Sequence, residues 1–196
     1  MPTLFYRTIH RIKPMAQRGT AMCMGLLMLA SPAVFATQQC NSNLYATAPD
    51  VRFIEVAGSQ GAEVLDRLTN LVWQRCSLGQ TWNNTSKHCS GTATAMTWTE
   101  ALTQAKAQGG DYRLPNIKEL QTLREQQCAY PSLNIVIFPD TPDSAQRSRY
   151  WSSSPYGFDM QSAWLMDMAQ GDTAIASKAQ SSSYVRAVRA KQYVAP

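Results

Sequence analysis

Thr97-Trp98-Thr99-Glu100-Ala101-Leu102-Thr103-Gln104-Ala105-Lys106-Ala107-Gln108-Gly109-Gly110-Asp111-Tyr112-Arg113-Leu114-Pro115-Asn116-Ile117-Lys118-Glu119-Leu120 carries the helical periodicity of a chain otherwise patterned as short strands. Thr97 and Glu100 have capping-box spacing, in which hydroxyl and carboxylate satisfy the free N–H groups at a helix start. Trp98, Ala101, Leu102 and Ala105 then recur on one face, and Gly109-Gly110 stops the run, so a helix is expected over Trp98 to Gln108. Pro115 disfavours helix at Leu114, Asn116 is placed to cap the next segment, and Ile117, Leu120 and Leu123 form a stripe, which predicts a second helix over Ile117 to Gln126.

The flanks have a different period. Before the helices, Phe53, Glu55, Val64, Leu65 and Leu71-Val72-Trp73 read as two or three short strands, broken at Gly58-Ser59-Gln60-Gly61 and Thr69-Asn70. After them comes a long Pro-bearing connection, 131–149, with Ile135-Val136-Ile137-Phe138 as an apolar plug. Strands resume at Tyr150 to Ser153, Ala163 to Met168, Thr173 to Ala176 and Tyr184 to Arg189, the last expected beside an early strand. Strands, two helices, a long loop and strands again define an α+β class with antiparallel sheets rather than alternating βαβ.

The N-terminus reads as a signal peptide over 1–36. Arg7, Arg11, Lys13 and Arg18 precede an apolar run from Ala21 to Ala30, and Ala33-Val34-Phe35-Ala36 offers small residues at a cleavage site. Pro32 cuts the run short of the roughly 20 residues a membrane span needs, and no later run reaches that length. The mature chain of 160 residues suits one domain, exported to the periplasm, the cell surface or the medium. It holds fourteen basic against thirteen acidic residues, which removes the case for a nucleic-acid partner. Residues 37–50 look like an extended arm held only by Cys40, 51–191 like the domain, and 192–196 like a tail.

Cys40, Cys76, Cys89 and Cys128 remain after cleavage. An even count in an exported chain implies two disulfides, for which three pairings exist. Loop logic favours Cys76 with Cys89 across a polar, turn-rich segment, and hence Cys40 with Cys128.

Several strings together resemble the Lcl C-terminal domain family. They are Thr69-Asn70-Leu71-Val72-Trp73-Gln74-Arg75-Cys76, Tyr112-Arg113-Leu114-Pro115-Asn116-Ile117-Lys118-Glu119-Leu120, Tyr150-Trp151-Ser152-Ser153-Ser154, Ala163-Trp164 and Val185-Arg186-Ala187-Val188-Arg189. The resemblance spans about Val51 to Lys191 and implies an exported domain of C-type-lectin-like fold. The family takes its name from a collagen-like adhesin whose domain binds sulfated polysaccharides as a trimer. This chain lacks the Gly-x-y repeats that would hold three copies together.

The residues nominate no catalyst and no cofactor. His88 is the single histidine after residue 36 and adjoins a cysteine assigned to a disulfide, which cannot serve as a nucleophile. Asp140 with Asp143, or Asp159, Asp167 and Asp172, are the candidate carboxylates for calcium, and none sits in a sugar-site string. The expectation is a non-catalytic, adhesive binding module for a sulfated or acidic polysaccharide or a surface protein. An assembly subunit of a cell-surface appendage and an unrecognised enzyme are the alternatives. Arg147, Arg149 and Lys178 are the candidates for gripping sulfate or carboxylate, and Trp82 and Tyr156 for stacking on sugar rings. Trp73, Trp98, Trp151 and Trp164 read as core, and Arg186 and Arg189 as surface charges or ion pairs on opposite strand faces. Arg113 is expected to pair with Asp111 or Glu119.

Overall fold

In a computed structural model of the protein, which describes residues 38–142 and 148–192, the strands pair antiparallel, while the expected strand from Tyr184 to Arg189 forms only from Val188, Tyr184 making an isolated parallel bridge to Tyr150. The order is β1 (Gln39–Cys40), β2 (Phe53–Glu55), β3 (Glu63–Asp66), β4 (Leu71–Gln74), β5 (Gln80–Asn83), β6 (His88–Gly91), α1 (Trp98–Lys106), α2 (Ile117–Gln121), β7 (Cys128–Ala129), β8 (Arg149–Pro155), β9 (Ser162–Asp167), β10 (Asp172–Ser177) and β11 (Val188–Ala190). One sheet has the order β11-β4-β3-β2 and another β10-β9-β8, with β1-β7 and β5-β6 as separate pairs. The last strand therefore does lie beside an early one, Val188 opposite Trp73. The class is α+β, with two helices and both expected disulfides, Cys40–Cys128 and Cys76–Cys89. Residues 1–37, Arg147 with the rest of 143–147, and 193–196 lie outside the described residues, and with them the leader and most of the tail.

Two apolar clusters form the core. Phe53, Val64, Trp73, Leu120, Leu123, Phe138, Tyr150 and Met166 make one, joining the four-stranded sheet, α2 and the long loop. The other joins Ala101 and Ala105 of α1 to Trp151, Leu165, Val185 and Ala187. Trp73 and Trp151 are fully buried as expected, but Trp98 and Trp164 are only half-buried. The buried Trp151 donates its Nε1–H to Met96 O at 2.8 Å, so the indole carries no unsatisfied polar atom into the core. Within the plug, Ile137 and Phe138 are buried whereas Ile135 and Val136 face outward.

Four elements depart from the expectation set by local pattern, and long-range partners account for them. First, α2 ends at Gln121, five residues early. Arg124 bridges to Leu133 instead, and Glu125 N donates to Ser132 O at 3.2 Å, which draws the chain out of the helix. Second, the N-terminal arm is held by more than Cys40. The buried Glu125 carboxylate accepts from Thr47 N at 2.9 Å and Ala48 N at 2.8 Å, Gln38 donates to Pro131 O and Leu133 O, and β1 pairs with β7. Third, the polar segment inside the small disulfide loop is a β-hairpin, with Trp82 opposite Cys89. Fourth, Arg186 is no surface charge: it is fully buried.

Arg186 reaches into the junction of the sheets. Its guanidinium donates to Gln74 O at 3.1 Å, to Arg75 O, and to Thr141 Oγ1 at 3.0 Å, while the Phe138 and Tyr150 rings lie 4.8 and 5.5 Å away. Among the described residues its partners are all uncharged. Burial pulls its pKa below the ordinary value, yet a guanidinium keeps its proton, so the site holds a cation satisfied by dipoles and rings.

Asp66 anchors the turn between β3 and β4. It accepts from Arg52 Nε at 2.8 Å, Leu68 N at 2.9 Å and Thr69 Oγ1 at 2.7 Å. Burial raises its pKa, but the Arg52, Thr69 and Leu68 hydrogen bonds together outweigh that and hold it below the usual carboxylate value. Glu125 is likewise raised by burial and more strongly lowered by the Thr47, Gln127 and Ala48 N–H groups. A carboxylate depressed in the folded state contributes stability above its unfolded pKa and loses it as pH falls through the folded value. The unfolding free energy is therefore expected to be flat above about pH 5 and to fall below about pH 4. Urea melts across that range on the protein and on Asp66→Asn test this, because the variant is expected to show a shallower fall. An unchanged slope would remove Asp66 from the acid response.

Candidate functional site

The four ligand-binding candidates among the described residues, Arg149, Lys178, Trp82 and Tyr156, do not converge on one place. Arg149 opens β8, opposite Asp167, with its Nε 3.8 Å from the Asp167 carboxylate. Tyr156 follows the far end of the same seven-residue strand, which puts roughly 20 Å of extended chain between them. Lys178 shares that far end, since Tyr156 N donates to Ser162 O and Lys178 N to Gln161 O. Its ammonium donates to Met160 O at 2.7 Å and lies 4.4 Å from the Trp98 ring. Trp82 belongs to the β5-β6 hairpin, and Arg147 falls outside the described residues.

Tyr156 packs edge-on against Trp164, ring centroids 5.3 Å apart, and touches Phe158 at 5.6 Å. Phe158 is 94% exposed and Met160 68%, so the β8-β9 turn carries apolar side chains into solvent.

A cleft of about 740 Å³ opens where α1 ends. It is lined by Leu102 and Lys106 of the helix, the Gly109-Gly110-Asp111 turn, Tyr112, Arg113, Leu114 and Ser153. Gly109, Gly110 and Asp111 all take positive φ, 73°, 56° and 63°, which turns the chain sharply off the helix and places Lys106 and Arg113 on the same hollow. Arg113 forms a two-pronged pair with Glu119, at 2.8 and 2.6 Å, and the alternative partner Asp111 is left out. The Glu119 hydrogen bonds raise the Arg113 pKa, and the pair fixes the guanidinium with 46% of its side chain still exposed. Glu119 also accepts from Asn116 N, so the capping box of α2 and the orientation of Arg113 are one construction. Lys106 did not stand out in the sequence; its one signal was its place in the last turn before Gly109-Gly110.

Two smaller hollows of about 250 and 370 Å³ lie beside the disulfide hairpin and share Leu78, Gly79 and Gln108. Trp82 lines the first, and Gln104 of α1 the second. Gly79 has φ of 93°, and a Cβ there would come within 2.4 Å of Thr94 Oγ1, so only glycine fits this close approach.

His88 hydrogen-bonds through Nδ1 to Asp140 at 2.9 Å, and the same carboxylate oxygen accepts from Cys89 N at 2.8 Å. Among the described residues no group of three His, Cys, Asp or Glu side chains is placed to hold a metal, and no helix is long and apolar enough to cross a membrane.

The geometry defines a disulfide-pinned α+β domain with open surface hollows. The chain belongs to the Lcl C-terminal domain family, whose profile matches residues 62–189. No curated protein matches the chain. The matched region takes in both disulfide-loop strands, both helices and all but the end of the last strand, and excludes the arm and β2. Two disulfides and this family point to a domain that works outside the reducing cytosol.

Proposed function

We propose that the protein is a non-catalytic binding module of the cell exterior that takes an acidic glycan in the cleft at the end of α1. The observation that carries this reading is the convergence of Lys106 and Arg113 on one hollow whose lining holds one carboxylate, Asp111. Glu119 sits outside the lining and is tied to Arg113, which leaves Lys106 as the cation without a paired carboxylate among the described residues. Glu119 pre-orients the Arg113 fork, which lowers the ordering cost of gripping a sulfate or uronate oxygen. Arg149 and Lys178 do not line this cleft, so their contribution to it is secondary. The family's founding adhesin supports a sulfated polysaccharide as the probe.

The test is a glycan array read at low and high salt, with Lys106→Ala beside the parent and Arg149→Ala as a second arm. Sulfated glycans are expected to bind, to weaken with salt, and to lose about fivefold to tenfold in affinity with Lys106→Ala. Binding that Lys106→Ala leaves intact and Arg149→Ala abolishes would move the site to the start of β8. The exposed Phe158 and Met160 favour a second reading, an assembly subunit that docks a protein partner through the β8-β9 turn. An array with no bound glycan would select it.

A further inference from the structure

The two hollows beside the hairpin are neighbours, with Leu78, Gly79 and Gln108 lining both, and are taken together as one trough. Its chemistry differs from that of the α1 cleft. Among the described residues no Lys or Arg side chain lines it, and its two carboxylates are engaged elsewhere, Glu63 by Arg189 at 2.6 Å and Glu100 by the Thr97 cap at 2.8 Å. The rest of its polar lining is amide and hydroxyl, led by Gln74, Gln80, Gln104, Gln108, Thr81 and Thr94.

Trp82 is built into this trough as a fixed plate. Its Nε1–H donates to Gln60 O at 3.1 Å, and the Arg75 guanidinium, which does not line the trough, lies 4.8 Å from the ring. Arg75 is itself tied to Glu55. The Cys76–Cys89 bond backs the hairpin, since Trp82 is the cross-strand partner of Cys89. An aromatic ring held on one edge and one side, opening onto amides, suits a ligand with an apolar CH face and a rim of hydroxyls. Gln74 Nε2 donates to Gln108 Oε1 at 3.3 Å, which leaves Gln74 Oε1 without a donor among the described residues. Together the hollows reach the roughly 300 Å³ at which small-ligand sites begin.

We propose that the trough between Trp82 and α1 is a binding site for an uncharged sugar unit, stacked on Trp82 and hydrogen-bonded by the Gln74 and Gln104 amides, with Gln108 held between them by its own bonds to Gln74 Nε2 and Gln104 O. It goes beyond the acidic-glycan reading, because the trough carries no cationic side chain and so confers no affinity for sulfate. The two places flank α1 on opposite sides, Leu102 and Lys106 facing the cleft and Glu100 and Gln104 the trough, and they come nearest just past the helix end, at Gln108 and Gly109.

The experiment titrates the oxidised protein with neutral hexasaccharides, namely cellohexaose, xylohexaose and chitohexaose, by calorimetry and by amide chemical-shift mapping. At least one is expected to bind, with shifts at Trp82 and Gln108 and no change in affinity between about 0.05 and 0.5 M salt. Trp82→Ala is expected to weaken binding about tenfold or more. Gln104→Ala, an exposed helix position where alanine favours the fold, is expected to weaken it about threefold and guards against misfolding of the tryptophan variant. Lys106→Ala is expected to leave neutral binding unchanged while reducing sulfated-glycan binding, which separates this proposal from the acidic-glycan one. The proposal is overturned if none of the three neutral probes binds at millimolar concentration. It is equally overturned if binding persists in both the Trp82 and Gln104 variants, or if it depends on salt.

Discussion

Arg186→Ala is expected to lower the unfolding free energy by about 3 to 5 kcal/mol, through the buried acceptors left without a donor and the cavity left by the side chain. The side chain is the donor for the carbonyls of Gln74 and Arg75, where β4 leaves the sheet, and for the Thr141 hydroxyl of the long loop. Truncation removes a donor from these acceptors and from Ser77 Oγ, and opens a void against Phe138 and Tyr150. Arg186→Met separates the two effects, because it restores the volume without the donors. It is expected to cost about 2 kcal/mol, and Arg186→Lys somewhat less, since an ammonium reaches one acceptor group and lacks the planar face. Urea unfolding with both disulfides intact measures all three. A methionine variant as stable as the parent would show that the guanidinium is tolerated rather than required.

Removal of the disulfides is expected to rank them by loop size. The Cys40→Ser/Cys128→Ser protein, which frees a loop spanning 88 positions, is expected to lose about 4 to 5 kcal/mol, and Cys76→Ser/Cys89→Ser, which frees 13, about 3 kcal/mol. The arm remains attached in the first case through Glu125 and β1-β7, so the loss is placed in the unfolded chain rather than in the native contacts. Guanidinium melts of the two variants decide the matter. The reverse order would mean that the hairpin around Trp82 depends on its bond for native packing.

Most features legible in the sequence have partners near in the chain; the Cys40–Cys128 bond, left over once Cys76 and Cys89 were paired, and the β11-β4 pairing are the long-range exceptions. The Thr97-Glu100 and Asn116-Glu119 boxes formed as expected, because each is closed within four residues. The Cys76–Cys89 pairing followed from the same locality. Strands β8 and β9 followed from apolar residues set against a buried face. The illegible features depend on a group far along the chain. Nothing around Arg186 announces that carbonyls 111 and 112 positions earlier need donors, and alternation alone makes such an arginine look like its exposed neighbours. Glu125 holds Thr47 and Ala48 across 78 and 77 positions, which ends α2 where local propensity would extend it. The hairpin of β5 and β6 escaped because only Cys89 in it is buried, so no apolar rhythm marks it. The trough was hidden for a related reason: its amides come from β4, β5 and the region of α1, and meet only after folding.

The Cys40–Cys128 bond also decides how the molecule carries mechanical load. Tension on the chain ahead of Cys40 passes through the sulfur bridge to residue 128 and then into β8 to β11. The chain between the two cysteines, with β2 to β6 and both helices, is bypassed by the covalent path and is loaded only through non-covalent contacts such as the β11-β4 pairing. The cleft and the trough belong to this stretch almost entirely, Ser153 being the one lining residue beyond it. A force applied between the two ends of the domain is therefore carried covalently past both surfaces and reaches them only through hydrogen-bonded strands.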